Sequence, residues 1–403
     1  MWYLRIPPQC QHALLIKTWY RWGVDPLAHT LVGASLAETG LKQKTAWGTL
    51  TLMIAANLPD IDGVCMLGGQ DAGLAGRRGI THGVLAWLVL PVVLAAIIHT
   101  IAKRVQRKRE VAAKPKHLVS PVGAQPALSF GWLLVLSVIG VLSHPLLDWM
   151  NSYGVRLLMP FSSTWFYGDA LFIIDPVLWL LAGAAVVFAH GKTKVAAALW
   201  LILLAAATAI IIVPVLAPPP AKMLWCIGAG LLVYLRVRGK PPSSKITARV
   251  CLAILTLYIG AMVMGTANAR TKATQWLSQH NLSADQLVVN PMAARPFSRD
   301  VIARVGQTYH FLQVPAFGNE PVSPTNSPLP VGEKSREVIA ALAIPQVQGA
   351  VKWMRLPAYE QAPTSEGVVV TIMDVRYSRM RNTKLGRTQV WLDNKLNVIQ
   401  VRP

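Results

Sequence analysis

The chain has 403 residues, 53% of them hydrophobic and only 14% charged, with a mean hydropathy of +0.41. That composition excludes an ordinary soluble enzyme and describes an integral membrane protein. Lys and Arg number 39 against 18 Asp and Glu, a formal net charge of +21; basic loops at an anionic cytoplasmic leaflet account for much of this, so nucleic acid is not expected as a partner.

Residues 1–25 form an N-terminal segment in which Arg5, Gln9, Gln11, Lys17 and Arg21 interrupt any apolar core. No removable signal peptide is expected there, and the first membrane helices direct insertion. Two short apolar segments, 26–38 and 46–60, read as a helical hairpin packed against a bundle. Stretches near 83–102, 130–150, 171–190, 195–217, 221–236 and 249–266 are each long enough, or nearly so, to cross a hydrocarbon core about 30 Å thick.

Orientation follows from Lys and Arg, which accumulate in cytoplasmic loops. The basic stretches 103–116 and 236–249 are expected inside, together with 190–194, Lys42 and Lys44. Residues 217–222 and everything beyond about 267 then fall outside. Nine Asp or Glu precede residue 267, and this topology places seven of them, Asp25, Asp60, Asp62, Asp71, Asp148, Asp169 and Asp175, at or near outer helix ends. His29, His82 and His144 lie at the same level. Ionisable groups at membrane depth are costly, and are usually paired or functional.

Each element of that layer has a plain reading beside a chemical one. His29 could bond a backbone carbonyl in a packed helix. Asp60 and Asp62 could end a helix at a Pro-Asp turn, although two carboxylates two residues apart also suit a cation. Thr81 could cap a helix and leave His82 incidental, whereas Arg77 or Arg78 beside it suits an anionic substrate. His144 and Asp148 carry the strongest signal, because positions i and i+4 share one helix face and can close on one ion. Asn151 and Tyr153 are either polar groups at a helix end or supports for those ligands.

The segment 191–267 reads as additional transmembrane helices that anchor and pack. Beyond it, residues 268–403 are read as a small extracytoplasmic α+β or mainly β domain. Helical TKATQWLSQH stands at its start, another helix near 333–343, and β-rich runs at 367–377 and 388–401, with a turn region at 381–387. Arg295, Arg299, Arg355, Arg376 and Arg379 are either ordinary surface arginines or holders of an anionic substrate or lipid headgroups. The four cysteines show no C-x-x-C spacing, and disulfides are not expected.

Several motifs in order, D-P-x-x-H-T-L-x-G at 25–33, N-x-P-D-I-D at 57–62, R-G-I-T-H at 78–82, H-P-L-L-D at 144–148, N-S-Y-G-V-R at 151–156 and I-D-P at 174–176, make the chain resemble the YdjM-like membrane-bound metal-dependent hydrolases. The likeness is to the long members with an extra C-terminal domain, and it covers roughly residues 20–190. It implies a membrane-embedded hydrolase core over 26–190 in a bacterial inner membrane. It also implies metal ligands at His29, Asp60, Asp62, His82, His144 and Asp148, with Asp175 as a further candidate. The implied cofactor is a divalent metal, zinc being the first expectation.

The implied chemistry is hydrolysis by metal-activated water. Asp60, Asp62 or Asp175 would serve as base, and Arg78 would neutralise charge developing on substrate. A site at the lipid–water boundary favours a lipid or lipid-linked ester or phosphoester. The rival reading is a transporter or ion pathway using the same His/Asp set, which would need polar groups near the midplane and access from both sides.

Overall fold

The computed structural model describes residues 26–112, 126–190, 193–212, 218–238, 242–292, 295–377 and 386–402. The N-terminal segment 1–25, with Asp25, lies outside the described residues, as does Arg379.

The short hairpin is present as α1 (Pro26–Glu38) and α2 (Gly48–Ala55). After α2 the chain turns by 42° into 3-10 turns over Leu58–Gly68. Pro59 accounts for the break, since it has no N–H to extend the helical ladder. The bent pair is a broken span or a re-entrant loop rather than the straight helix expected to residue 60. A short helix, α3 (Gln70–Gly76), and one 3-10 turn, Ile80–His82, lead into α4 (Val84–Ala112). Then follow α5 (Phe130–Trp149), α6 (Pro176–His190), α7 (Lys194–Ile212), α8 (Pro219–Val237) and α9 (Ser244–Gln279).

Among the described residues, α4, α5, α7, α8 and α9 are long and apolar enough to cross a membrane. Two expected spans change. The one at 171–190 shrinks to the 15 residues of α6, because Pro176 opens the helix and the Asp175 carboxylate caps it, Oδ1 accepting from Val177 N at 2.9 Å and Leu178 N at 3.0 Å. The one at 249–266 lengthens to the 36 residues of α9, about 54 Å. This helix runs unbroken through the boundary expected at 267 and carries TKATQWLSQH as its own last turns.

Small residues set the spacing of the bundle. A Cβ on Gly33 of α1 would lie 2.7 Å from the Leu52 carbonyl oxygen of α2, and one on Gly140 of α5 would overlap Ala55 of α2. Thus α2 sits tightly between α1 and α5, as small-residue contacts allow in lipid, where hydrophobic association is weak. Helix α1 also packs on α6, α4 on α5, and α6 on α9.

Beyond α9 stand two antiparallel sheets. The first contains β1 (Gln286–Asn290), β2 (Ser298–Val305) and β3 (Thr308–Pro315), with β4 (Ser323–Pro324) and β5 (Leu329–Pro330) both paired to β3. Two short helices, α10 (Arg336–Leu342) and α11 (Gln348–Trp353), lead to the second. It is a meander of β6 (Pro357–Pro363), β7 (Gly367–Asp374), β8 (Arg387–Asp393) and β9 (Val398–Arg402). The helix expected near 333–343 and the strand runs are present; most of the turn expected at 381–387 lies outside the described residues.

Candidate metal centre

Four side chains from three separate stretches converge at one end of the bundle. Asp60 comes from the 3-10 turns after α2, His82 from the turn before α4, and His144 and Asp148 from the last turns of α5. One ligand-type atom from each lies within 4.8 Å of the other three. His82 Nε2 and His144 Nε2 are 3.2 Å apart. Asp148 Oδ2 is 3.3 Å from the first and 3.6 Å from the second, and Asp60 Oδ1 is 3.9 Å and 3.7 Å from them. A tetrahedral ion with bonds of about 2.1 Å has ligand-to-ligand edges of roughly 3.4 Å, so these separations are close to a coordination shell.

The hydrogen bonds behind the two imidazoles strengthen that fit. His144 Nδ1 faces the Ala56 carbonyl at 2.6 Å, and His82 Nδ1 faces Asp62 Oδ2 at 3.1 Å. Each partner accepts a proton, so each Nδ1 is the N–H and each Nε2 presents a lone pair inward. Two lone pairs 3.2 Å apart in a buried site need a cation or a proton between them. The carboxylates point the same way: Asp148 Oδ2 and Asp60 Oδ2 are buried and accept no hydrogen bond among the described residues. Leaving such an acceptor unsatisfied costs several kcal/mol, on the order of a buried unpaired charge.

His29 and Asp62 stand beside this group. The His29 ring stacks on His144 with centroids 3.7 Å apart, and its Nε2 is 3.5 Å from Asp148 Oδ1. Asp62 Oδ2 accepts from Arg78 N at 2.7 Å and Thr81 Oγ1 at 3.0 Å besides facing His82, so it orients that imidazole. Thr81 is thereby engaged by Asp62 rather than by a helix terminus. His82 lies outside the spanning helices; burial would lower its pKa, and Asp148 and Asp62 beside it outweigh this, pushing it up to about 9, so that without a cation a proton on Nε2 occupies the gap to His144 and Asp148 Oδ2.

The arginines have a different role from the one expected. Arg78 is buried, and its Nη2 donates to Asp148 Oδ1 at 2.7 Å while Nη1 donates to Asn151 Oδ1 at 2.9 Å and to the Gly154 carbonyl at 3.2 Å. Its guanidinium therefore holds the Asp148 carboxylate and a loop, with its described contacts directed inward. The backbone of Arg78 is left-handed, φ 50°, a conformation that costs about 1–2 kcal/mol outside glycine and that clusters at functional sites. Arg77 Nη2 donates to Asp60 Oδ1 at 2.8 Å. Three carboxylates, Asp60, Asp62 and Asp148, thus face two guanidiniums, leaving one net negative charge that a proton on His82 or a bound cation offsets.

Asp175 stands apart from the cluster in its described contacts. Both its oxygens are engaged at the start of α6, Oδ2 by the Tyr258 hydroxyl at 2.8 Å. Three of the C-terminal domain's arginines, Arg299, Arg355 and Arg376, are also committed internally. Arg299 is buried under carbonyls of 295, 296, 298 and 262, Arg376 is buried on Asp374, and Arg355 grips Asp169 with two contacts of 2.9 Å. Arg299 and Arg376 are thus buried rather than surface arginines, and the half-buried Arg355 is paired with Asp169.

Residues 24–217 match the model of the YdjM inner membrane protein family. Over that segment, just under half of its length, the chain is similar to that family. The matched segment contains every member of the cluster and ends before α8, so the last two spanning helices and both sheets lie beyond it. A similar curated protein is the uncharacterized protein YfhP of Bacillus subtilis (strain 168), 25% identical over 176 residues. Those residues are 43% of this chain and 42% of YfhP, so the likeness spans less than half of either protein. No solved structure matches. The chain is therefore a membrane protein, similar over residues 24–217 to the YdjM inner membrane protein family, with a His/Asp group able to hold a metal ion.

Three features of the site were missed in the sequence: the role of Arg77 on Asp60, the Ala56 carbonyl behind His144, and the contacts of the C-terminal domain with residues 152 and 153. Arg77 carries a legible signal, since it neighbours the motif. The other two are backbone contacts over long sequence separations and have no residue-type signature.

Proposed function

We propose that the chain is a membrane-bound metal-dependent hydrolase with its centre at Asp60, His82, His144 and Asp148. The observation that carries the reading is the inward pair of imidazole lone pairs beside two carboxylate oxygens without donors. A His/carboxylate set without thiolates suits zinc first among divalent ions. When bound, such an ion makes water nucleophilic at neutral pH and polarises the bond to be cut.

The protein's own groups divide the remaining work. Asp62 and the Ala56 carbonyl hold the imidazole orientations. Arg77 and Arg78 each neutralise one oxygen of a ligand carboxylate. The Asp60 side chain is 13% exposed against 4% for Asp148, which makes it the ligand at the mouth of the site, and its Oδ2 is the group placed to accept a proton from water.

The substrate class in this reading is a lipid or lipid-linked ester or phosphoester taken from the outer membrane boundary. Support comes from the exposed apolar side chains flanking the ligands, Ile61, Val64 and Leu67 after Asp60 and Ile80 before His82. Such a rim suits acyl chains better than a water-soluble substrate. The same orientation makes the C-terminal domain extracytoplasmic, on the basic-loop argument.

Metal analysis of detergent-purified protein tests the centre. About one ion per chain is expected in the parent and little in His144→Ala or Asp148→Ala; equal content in all three would remove the assignment. Release of product from phospholipid and lipid-linked phosphate panels, lost in the same variants, tests the reaction.

A further inference from the structure

The C-terminal domain, outside the family match, grips the loop that holds Arg78. We propose that Trp353 and Arg376 are positioning residues for the metal centre, acting through residues 151–154; this rests on the reading of the cluster as a metal site.

The loop is held from two sides at alternating groups. Toward the membrane part, the Asn151 side chain and the Gly154 carbonyl accept from Arg78 Nη1, and the Tyr153 ring lies 4.5 Å from the Arg78 guanidinium. Toward the C-terminal domain, the Ser152 carbonyl accepts from Arg376 Nη1 and the Tyr153 carbonyl from Trp353 Nε1 at 3.2 Å. Trp353 and Tyr153 also pack with centroids 4.8 Å apart. Arg376 is itself fixed by Asp374, 2.7 Å from its Nη2, and donates to the Trp353 carbonyl at 3.3 Å. The path from the second sheet to Asp148 Oδ1 is therefore continuous: Asp374, Arg376, the loop, Arg78, Asp148.

A second attachment uses the same stretch of the C-terminal domain. Ala350 N donates to Asp71 Oδ1 at 2.9 Å, and a Cβ on Gly349 would overlap the Asp71 carbonyl. Asp71 lies in the first turn of α3, whose last residue precedes Arg77, so α11 touches both the helix that leads into Arg77 and Arg78 and the loop that holds Arg78. Arg355 closes the contact on Asp169. With Oδ1 of Asp148 neutralised by Arg78, Oδ2 is left to the cluster. A loop free to shift would let Arg78 slide and return that charge to both oxygens. Partners that orient a ligand typically change metal affinity 10–100-fold when lost.

Full-length Trp353→Phe and Arg376→Lys test this in detergent. The first keeps an aromatic face but loses the N–H donor and one of the two indole rings; the second keeps a charge for Asp374 and the side-chain length while losing only the fork. Asn397→Ala, which removes an amide bond to Asp393 at the opposite end of β7 from Asp374, is the control. Amide hydrogen exchange is followed in segments 77–82 and 150–156, and cobalt(II) is titrated by its visible bands. Faster exchange in both segments, cobalt binding about 10-fold weaker and altered bands are expected for the two variants and not for the control. Parent-like exchange at 77–82, or faster exchange with cobalt binding unchanged, would reduce the domain to an anchor and overturn the proposal. A parent that binds no cobalt would sink the metal reading instead, and exchange at 77–82 alone would then decide whether the domain positions Arg78.

Discussion

Asp62 illustrates how a single carboxylate can matter to the centre without being among the four converging ligands. Its Oδ2 faces His82 Nδ1 at 3.1 Å and fixes which nitrogen keeps the proton. In Asp62→Asn the amide can donate to Nδ1, which moves the ring proton to Nε2 and aims it into the cluster. Metal affinity is expected to fall about 10–100-fold with the fold retained, read by competition with a chelator; unchanged affinity would mean that Asp62 does not set the tautomer. At the other end of α1, outside the spanning helices, Glu38 is buried against Lys42 at 2.7 Å and His190 at 3.2 Å. Burial would raise its pKa, but hydrogen bonds from His190, Lys42 and Ser244 pull it from 4.5 to about 2. A carboxylate depressed in the folded state contributes stability that is full above its unfolded pKa and is lost as pH falls through the folded one. Melting temperature should therefore drop between about pH 4.5 and 2 in the parent, and this part of the drop should vanish in Glu38→Gln.

At the level of elements, the site depends on how closely α2 is clasped between α1 and α5. Gly140 stands one turn before His144, and any side chain there meets Ala55. Gly140→Ala must push α5 from α2 and carry His144 away from the Ala56 carbonyl that fixes its tautomer. Overpacking of this kind costs about 1–3 kcal/mol. A lowered melting temperature together with reduced metal content is expected; a stability loss with full metal content would show that the helix spacing does not govern the ligand. The break after α2 serves the same end, since Pro59 turns the chain so that Asp60 and Asp62 meet Arg77 rather than continue along a lipid-facing helix.

For the molecule as a whole, the long helix α9 joins membrane and sheets without a flexible link, so the C-terminal domain is mounted rather than tethered. Arg299 of β2 extends the mount by bonding the Met262 carbonyl within α9. The proposed orientation has a direct check: trypsin added to intact spheroplasts should digest epitopes in 268–403 while leaving a basic loop such as 103–116 protected. Digestion of the domain only after lysis would invert the topology and move the site to the inner side.

Much of this protein is legible along the chain. Hydropathy marks the membrane helices, because the lipid core demands long apolar segments with internally satisfied backbones. The ligand types at 60, 62, 82, 144 and 148 are legible too, since ionisable groups are too costly at such depth to be incidental. What the chain could not reveal by itself was the division of labour among them. Asp62 and Asp60 look alike in sequence, and only the fold faces one to His82 Nδ1 and the other to the ligand atoms. Asp175 looks equally available until the packing of α9 on α6 brings Tyr258 to its second oxygen. Arg78 reads as a substrate-facing cation, and Arg376 as a surface arginine or an anion holder, until burial shows them bonded to carboxylates and carbonyls, among them groups far away in sequence. Residue type and local pattern determine what a group can bind; which partner it meets is decided by close packing between segments that no local signal connects.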